Sequence, residues 1–435
     1  MRVQSKTVGE EIFHFLERLW PYCRSITGEG LRMTLHDIRD LLPGLNVLEV
    51  PSGSQALDWV VPDEWNIRDA WIKDSKGRKV VDFTSNNIHI LGYSEPYHGW
   101  VDRDKLLDRI YTLENQPGSI PYVTSYYKRR WGFCMAHDSL GGLTDDRYEV
   151  MIDSTLAPGS LSIGEYILPG KTSEEVLFST YCCHPSLAND QLSGIGLSVF
   201  LALWLSSLPS RRFSYRFVFL PEIIGSAAYL ERHQEHLKKH TVAAFNLTCV
   251  GDDRCWSYLP SRKGDTLSDK AVLNLLRFHT KGFSTYSWNQ RGSDESMFCA
   301  PGIDLPMTSL MRSKYGTFPE YHTSADRLGV TVTAKGLQES FEMYNRLVIA
   351  LERNGRPAVK VLGEPQLGKR GLYPDLSIKG STDSVKDLLN VLSYCDSEND
   401  LFDISDMAGV PVDKVIGYLD KFLEHGLIGD WDPVK

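Results

Sequence analysis

Residues 181–196 read YCCHPSLANDQLSGIG, and the reading of this stretch decides the fold. An apolar run over 175–183 leads into it and predicts a buried strand. The helical spacing over 192–208 predicts a largely apolar helix after it. Strand, loop and helix in that order form the unit of an α/β sheet, whose functional side chains sit just past the carboxyl ends of strands. His184 and Asp190 fall in that loop. An imidazole and a carboxylate there suit a divalent ion such as zinc; a competing local reading makes Asp190 a helix cap.

Working outward, the same rhythm continues downstream. Strands are expected at 215–220, 242–250 and 306–311, and helices at 226–239, 267–279 and 334–352. The alternation predicts a largely parallel sheet with helices on both faces. Upstream, helical spacing covers 8–20 and 31–42. Between 47 and 168 the texture changes to short β-like runs: 71–73, 79–83, 89–92, 122–127, 131–135 and 148–154, rich in tryptophan. The two leading helices have no sheet of their own, so this β module interrupts the α/β domain. After a Gly- and Pro-rich strap over 354–375, three helical patterns beyond 381 have the order of a winged helix. The expected organisation is a discontinuous α/β domain (1–48 and 166–360), an inserted β module (49–165), a linker (361–380) and a winged-helix domain (381–435).

Composition sets limits. The 435 residues are 42% hydrophobic and 24% charged, with a net charge of −9, as in a globular chain with ample core and no general attraction to nucleic acid or anionic membrane. No stretch has the length and apolarity of a membrane span, and the first twenty residues lack the apolar core of a signal peptide. Eight cysteines at irregular spacing show no disulfide framework, so a cytoplasmic location is expected. The tail over 381–435 carries four lysines, no arginine and twelve acidic residues. Phosphate contact needs a basic face, which excludes DNA reading as the expected role. Assembly into a homo-oligomer is expected instead.

Four metal-type side chains fall at loop positions of the α/β part: His184, Asp190, Glu222 after the strand YRFVFLP, and His322. All four can converge on one sheet edge. Here the chain resembles the co-catalytic zinc aminopeptidases, the group that includes bacterial leucyl-type aminopeptidases and glutaminyl cyclase. His184 precedes Ala188-Asn189-Asp190-Gln191-Leu192-Ser193-Gly194. Glu222 precedes Gly225-Ser226-Ala227-Ala228-Tyr229, and Asn246-Leu247-Thr248-Cys249-Val250-Gly251 follows on the next strand. Gly292-Ser293-Asp294-Glu295-Ser296-Met297-Phe298 and Tyr321-His322-Thr323 complete the order. The whole chain is more similar still to an aminopeptidase-like family of unknown function with an inserted β module and a C-terminal winged helix, often encoded near polysaccharide-biosynthesis genes.

The resemblance implies a mixed sheet flanked by helices, and zinc held by His184, Asp190 and His322. Two departures stand out. Thr248 replaces an aspartate ligand of the third strand, and the usual acidic pair is reduced to Glu222. One or two ions per chain are therefore open, with Asp252 and Asp253 as replacement ligands and Glu222 as ligand or general base. Asp294, Glu295, Arg312, Tyr315 and Tyr321 are expected to contact or support substrate. The expected activity is amide-bond hydrolysis of aminopeptidase type on a peptide or small molecule, with metal-activated water attacking the carbonyl. The alternatives are a single-zinc deacylase or cyclase-like enzyme acting on a metabolite or sugar amide, or an inactive binding protein.

Overall fold

The computed structural model describes residues 6–372, 383–429 and 431. Its centre is an eight-stranded mixed sheet. Across it run Asn46–Pro51, Ser160–Leu168, Ser214–Leu220, Glu175–Tyr181, Thr241–Asn246, Met307–Met311, Ser257–Leu259 and Ser284–Thr285. The four strands from Ser214–Leu220 to Met307–Met311 are mutually parallel, as the alternation predicts. Asn46–Pro51 and Ser160–Leu168 extend one edge antiparallel, so the sheet's own strands reach past the expected boundaries at 48/49 and 165/166.

Successive residues of each central strand feed opposite faces. Phe178, Phe217 and Phe245 join the core made with helices Val8–Leu19, Ser193–Ser207 and Ala334–Glu352. Leu177, Val218 and Ala244 join a second core, under helix Ile224–His240 and the inserted module. Helix Ser193–Ser207 starts tight against the sheet: a Cβ on Gly194 would lie 2.2 Å from the Leu247 carbonyl oxygen. That close approach sets the Asp190 loop beside the end of the Thr241–Asn246 strand.

The module contains a four-stranded antiparallel sheet ordered Lys79–Asp82, Glu64–Lys73, Arg147–Ala157, Tyr97–Asp102. The expected strand over 122–127 is instead an irregular segment. Its backbone is shared between two loops: Tyr122 N–H donates to the His322 carbonyl at 2.8 Å and Ser125 N–H to the Gly92 carbonyl at 2.9 Å. Glu64 fastens the module to the core, accepting from Arg32 at 2.6 and 3.1 Å and from Ser160 N–H at 3.0 Å.

The C-terminal helices are Asp383–Ser393, Leu401–Ala408 and Val412–Glu424. Their unit begins before the expected linker. Val359 pairs with Ile428, and Lys360 N–H donates to the Leu427 carbonyl at 2.8 Å. Residues 373–380 of that linker lie outside the described residues. The tail's apolar side chains continue the core on the Phe178 face. A polar seam surrounds them: Lys270 meets Asp403 at 2.8 Å, Arg346 meets Asp413 at 3.2 Å, Arg353 meets Asp420 at 2.5 Å, and Arg277 pairs with Asp406. Among the described residues no helix is long and apolar enough to cross a membrane.

Candidate metal centre

The Glu175–Tyr181 strand ends directly before Cys182-Cys183-His184. Arg24, fully buried, holds the turn that follows. Its guanidinium donates to the carbonyls of His184 (2.8 Å), Pro185 (2.9 Å) and Leu19 (2.7 Å). Asp190 sits in an irregular turn at the start of helix Ser193–Ser207, with φ −102° and ψ 68°. The Asp326 carboxylate accepts the backbone N–H groups of Asn189 and Asp190 at 2.9–3.0 Å and fixes that turn. Burial pushes the Asp326 carboxyl up to about 7. His322 arrives from the loop after Met307–Met311 with φ +54°. Ile223 and Cys249, beside Glu222 and Thr248, are also left-handed, at +63° and +51°. Such backbone costs on the order of 1–3 kcal/mol per residue and persists where the surroundings dictate it.

These elements bring His184, Asp190 and His322 together, with one donor atom of each within 4.8 Å of the others. His322 Nε2 stands 2.9 Å and His184 Nε2 3.9 Å from Asp190 Oδ2. That oxygen is buried and has no partner of hydrogen-bond geometry. The edges of a tetrahedral zinc site with two nitrogens and an oxygen are about 3.4 Å, so this set fits a zinc-sized cation after small adjustments. Burial lowers the His184 imidazole to about 4, which keeps it neutral, the form that ligates metal. Burial alone would raise Asp190, but the two imidazoles and the Tyr181 hydroxyl outweigh it and hold the carboxyl below its usual range.

The other oxygen of Asp190 accepts a hydrogen bond from the Tyr181 hydroxyl, which also lies 2.6 Å from the Thr248 hydroxyl. The phenol thus occupies the corner between Asp190 and Thr248.

Glu222 lies to the other side of His184, within 4.8 Å of Cys183 Sγ and a His184 ring nitrogen. It is outside the His184–Asp190–His322 group. Burial, and then the charges of Asp294 and Asp190, push its carboxyl well above the usual range. Above these groups opens a cavity of about 340 Å³. The inserted module supplies Trp59, Tyr122, Tyr126 and Tyr127 to its wall, and no lysine or arginine among the described residues lines it. Tyr122 packs against both imidazoles, its ring centre 5.0 Å from His184 and 5.2 Å from His322. Tyr321 stacks on His322 at 3.9 Å.

The remaining expected site residues do not line the cavity. Asp252 is not in the cluster, because its carboxylate is filled by Asn189, Ser313 and Arg254 donors at 2.9–3.0 Å. Asp253 is exposed. Arg312 turns away to Glu339 at 2.8 Å and lies over Trp256. Tyr315 donates to Glu295, whose carboxylate also accepts from Gly292, Ser293 and Asn246; both residues brace a loop and stay off the cavity. Asp294 supports the Glu222 turn, accepting from Ile223 N–H and the Ser226 hydroxyl at 2.8 Å. Burial pushes its carboxyl up to about 7. Sequence reasoning missed Asp326, Tyr181 and Tyr122 as site residues. Cys183 packs in the Leu177-face core and also borders the cavity. Strand alternation sends Cys182 into the Phe178-face core and Cys183 into the Leu177-face core.

With this geometry in hand, comparison with known proteins is informative. A family model described as Domain of unknown function (DUF4910) matches residues 13–354, and a winged helix-turn-helix model matches residues 356–430. A Clostridium acetobutylicum protein, named as a candidate polysaccharide biosynthesis protein with an aminopeptidase-like domain, is 43% identical over 415 residues, 94% of each chain. The crystal structure of a candidate peptidase from the same organism superposes with a TM-score of 0.90 at 40% identity, covering 97% of this chain and 96% of that one. BSAP, a zinc aminopeptidase from Bacillus subtilis, shares the fold at a TM-score of 0.56 and 14% identity, over 79% of this chain and 94% of its own.

Proposed function

The chain belongs to the DUF4910 family, extended by a winged helix-turn-helix domain, and from this and the site we propose that it is a metal-dependent amide-bond hydrolase. The observation that carries the reading is the buried Asp190 oxygen flanked by the His184 and His322 imidazoles, which line a cavity together with Glu222. His184, Asp190 and His322 would hold one zinc ion. When bound, zinc supplies a Lewis acid for the amide carbonyl and lowers the pKa of water. Glu222 takes the proton from the attacking water and returns it to the leaving nitrogen. Its high proton affinity suits the second half of that exchange. Arg24 and Asp326 fix the two ligand loops, and Tyr122 and Tyr321 hold the imidazole planes.

The Tyr181 phenol beside Thr248 favours one ion over the pair used by co-catalytic enzymes, and so favours a deacylase-like reaction. The wall of rings without lysine or arginine suits a neutral group. Together with the relative named for polysaccharide biosynthesis, it favours an N-acylated sugar over a peptide. The tail, docked on its own core by acidic residues, is proposed as a structural module that reads no nucleic acid.

Glu222→Gln tests the roles. The variant is expected to retain about one zinc per chain and to lose turnover by about 10²–10⁴-fold on amide substrates. Loss of the metal in this variant would make Glu222 a ligand instead. Absence of zinc from wild-type protein, even after zinc is added back, would overturn the hydrolase reading.

A further inference from the structure

The cavity holds a second group of ligand atoms, and it shares His184 with the first. Cys183 Sγ, a ring nitrogen of His184 and a Glu222 carboxylate oxygen all lie within 4.8 Å of one another. The two nitrogens of His184 point to different partners. Nδ1 is 3.5 Å from Cys183 Sγ, and Nε2 is 3.9 Å from Asp190 Oδ2. A tetrahedral zinc site with Zn–S near 2.3 Å and Zn–N near 2.05 Å has an S···N edge of about 3.5 Å, so the Cys183–His184 edge already has that length. The Glu222 N–H donates to the sulfur at 3.3 Å, and such a donor also suits a thiolate. The chemistry of this set, one sulfur, one nitrogen and one carboxylate, selects zinc, cobalt or cadmium over magnesium or calcium.

We propose that Cys183, His184 and Glu222 form a second site for a soft divalent cation, bridged to the first through the His184 ring. Binding there releases two protons to solvent, one from the Cys183 thiol and one from the second ring nitrogen of His184, and forms metal–sulfur and metal–nitrogen bonds that leave the ring a bridging imidazolate. It also engages the Glu222 carboxylate, so the second ion removes the general base and inhibits the reaction that the first supports. The inference rests on the one-ion reading of the first site. It gives the enzyme a ceiling as well as a floor in zinc.

The test is a cobalt titration of the full chain after chelator treatment, read by absorption. A cobalt–thiolate bond gives a near-ultraviolet charge-transfer band that nitrogen and oxygen ligands do not. The first equivalent is expected to bind without that band, and the second to bring it in at one thiolate per chain. Cys183→Ser should bind the first equivalent and show no band. His322→Ala should lose the first binding step and keep the band. Tight binding of one equivalent with no thiolate band in wild type would overturn the second site and leave the hydrolase reading intact. So would a band that persists in Cys183→Ser. No cobalt bound at all would overturn both readings. The wild-type titration decides between these outcomes even if a variant fails to fold.

Discussion

Two units are appended to the α/β core, on opposite faces of its sheet, and they meet it in different ways. The inserted β module joins the core on the Leu177 face and sends Tyr122 over the edge onto both site imidazoles. The winged-helix tail joins the core on the Phe178 face and is bordered by ion pairs with helices Leu267–His279 and Ala334–Glu352. Val412–Glu424 is the helix that would enter a DNA groove in a nucleic-acid reader. Here its Asp413 and Asp420 meet core arginines. What an added unit covers, more than its fold type, decides what it can do: one unit walls the candidate site and the other closes a surface.

Substitutions can break this contrast. The largest effect is expected from Tyr122→Ala. On the proposed zinc site, removing the ring that packs on both imidazoles should weaken zinc affinity by about 10–100-fold in a chelator competition, as loss of supporting contacts to ligands does elsewhere. The Arg346→Ala/Arg353→Ala pair should leave zinc affinity unchanged and raise hydrogen exchange along residues 412–424. A change in zinc affinity there would mean that the tail reaches the site after all.

A smaller effect separates the two attachments by pH. Burial would raise Glu64, but hydrogen bonds from Arg32, Asn66 and Ser160 outweigh it and hold the carboxyl at about 2. Because the folded value lies below the ordinary one, the stabilisation is fully present above about pH 4.5 and is lost as pH falls toward 2. Urea midpoints at pH 6 and pH 3 should therefore differ more for wild type than for Glu64→Gln. The smallest effect is salt. The arginine–aspartate pairs of the tail are partly exposed, each worth less than about 1 kcal/mol. Raising salt to 1 M should loosen the tail measurably by limited proteolysis and leave the module in place.

Much of this was legible in the chain. The central strands announced themselves as short apolar runs, and His184, Asp190 and His322 lay in an order that a parallel sheet converts into proximity. The errors share a cause. Asp252, Arg312 and Tyr315 do lie near the correct edge, but each is already satisfied by a neighbour, and satisfaction is a three-dimensional property. Tyr122 was hidden for the opposite reason. It comes from a segment without regular pairing, placed by backbone hydrogen bonds to a loop 200 residues away. The edge strand Asn46–Pro51 was missed because its partner, Ser160–Leu168, lies beyond the whole module.

The Tyr181 phenol wedged between Asp190 and Thr248 has a consequence for the engineering of the site. Restoring an acid at position 248 alone would set a carboxylate against a phenol, with no room for an ion between them. Clearing position 181 alone would leave a hole lined by a hydroxyl that binds metal poorly. A paired-ion centre built at this corner would therefore need both changes at once.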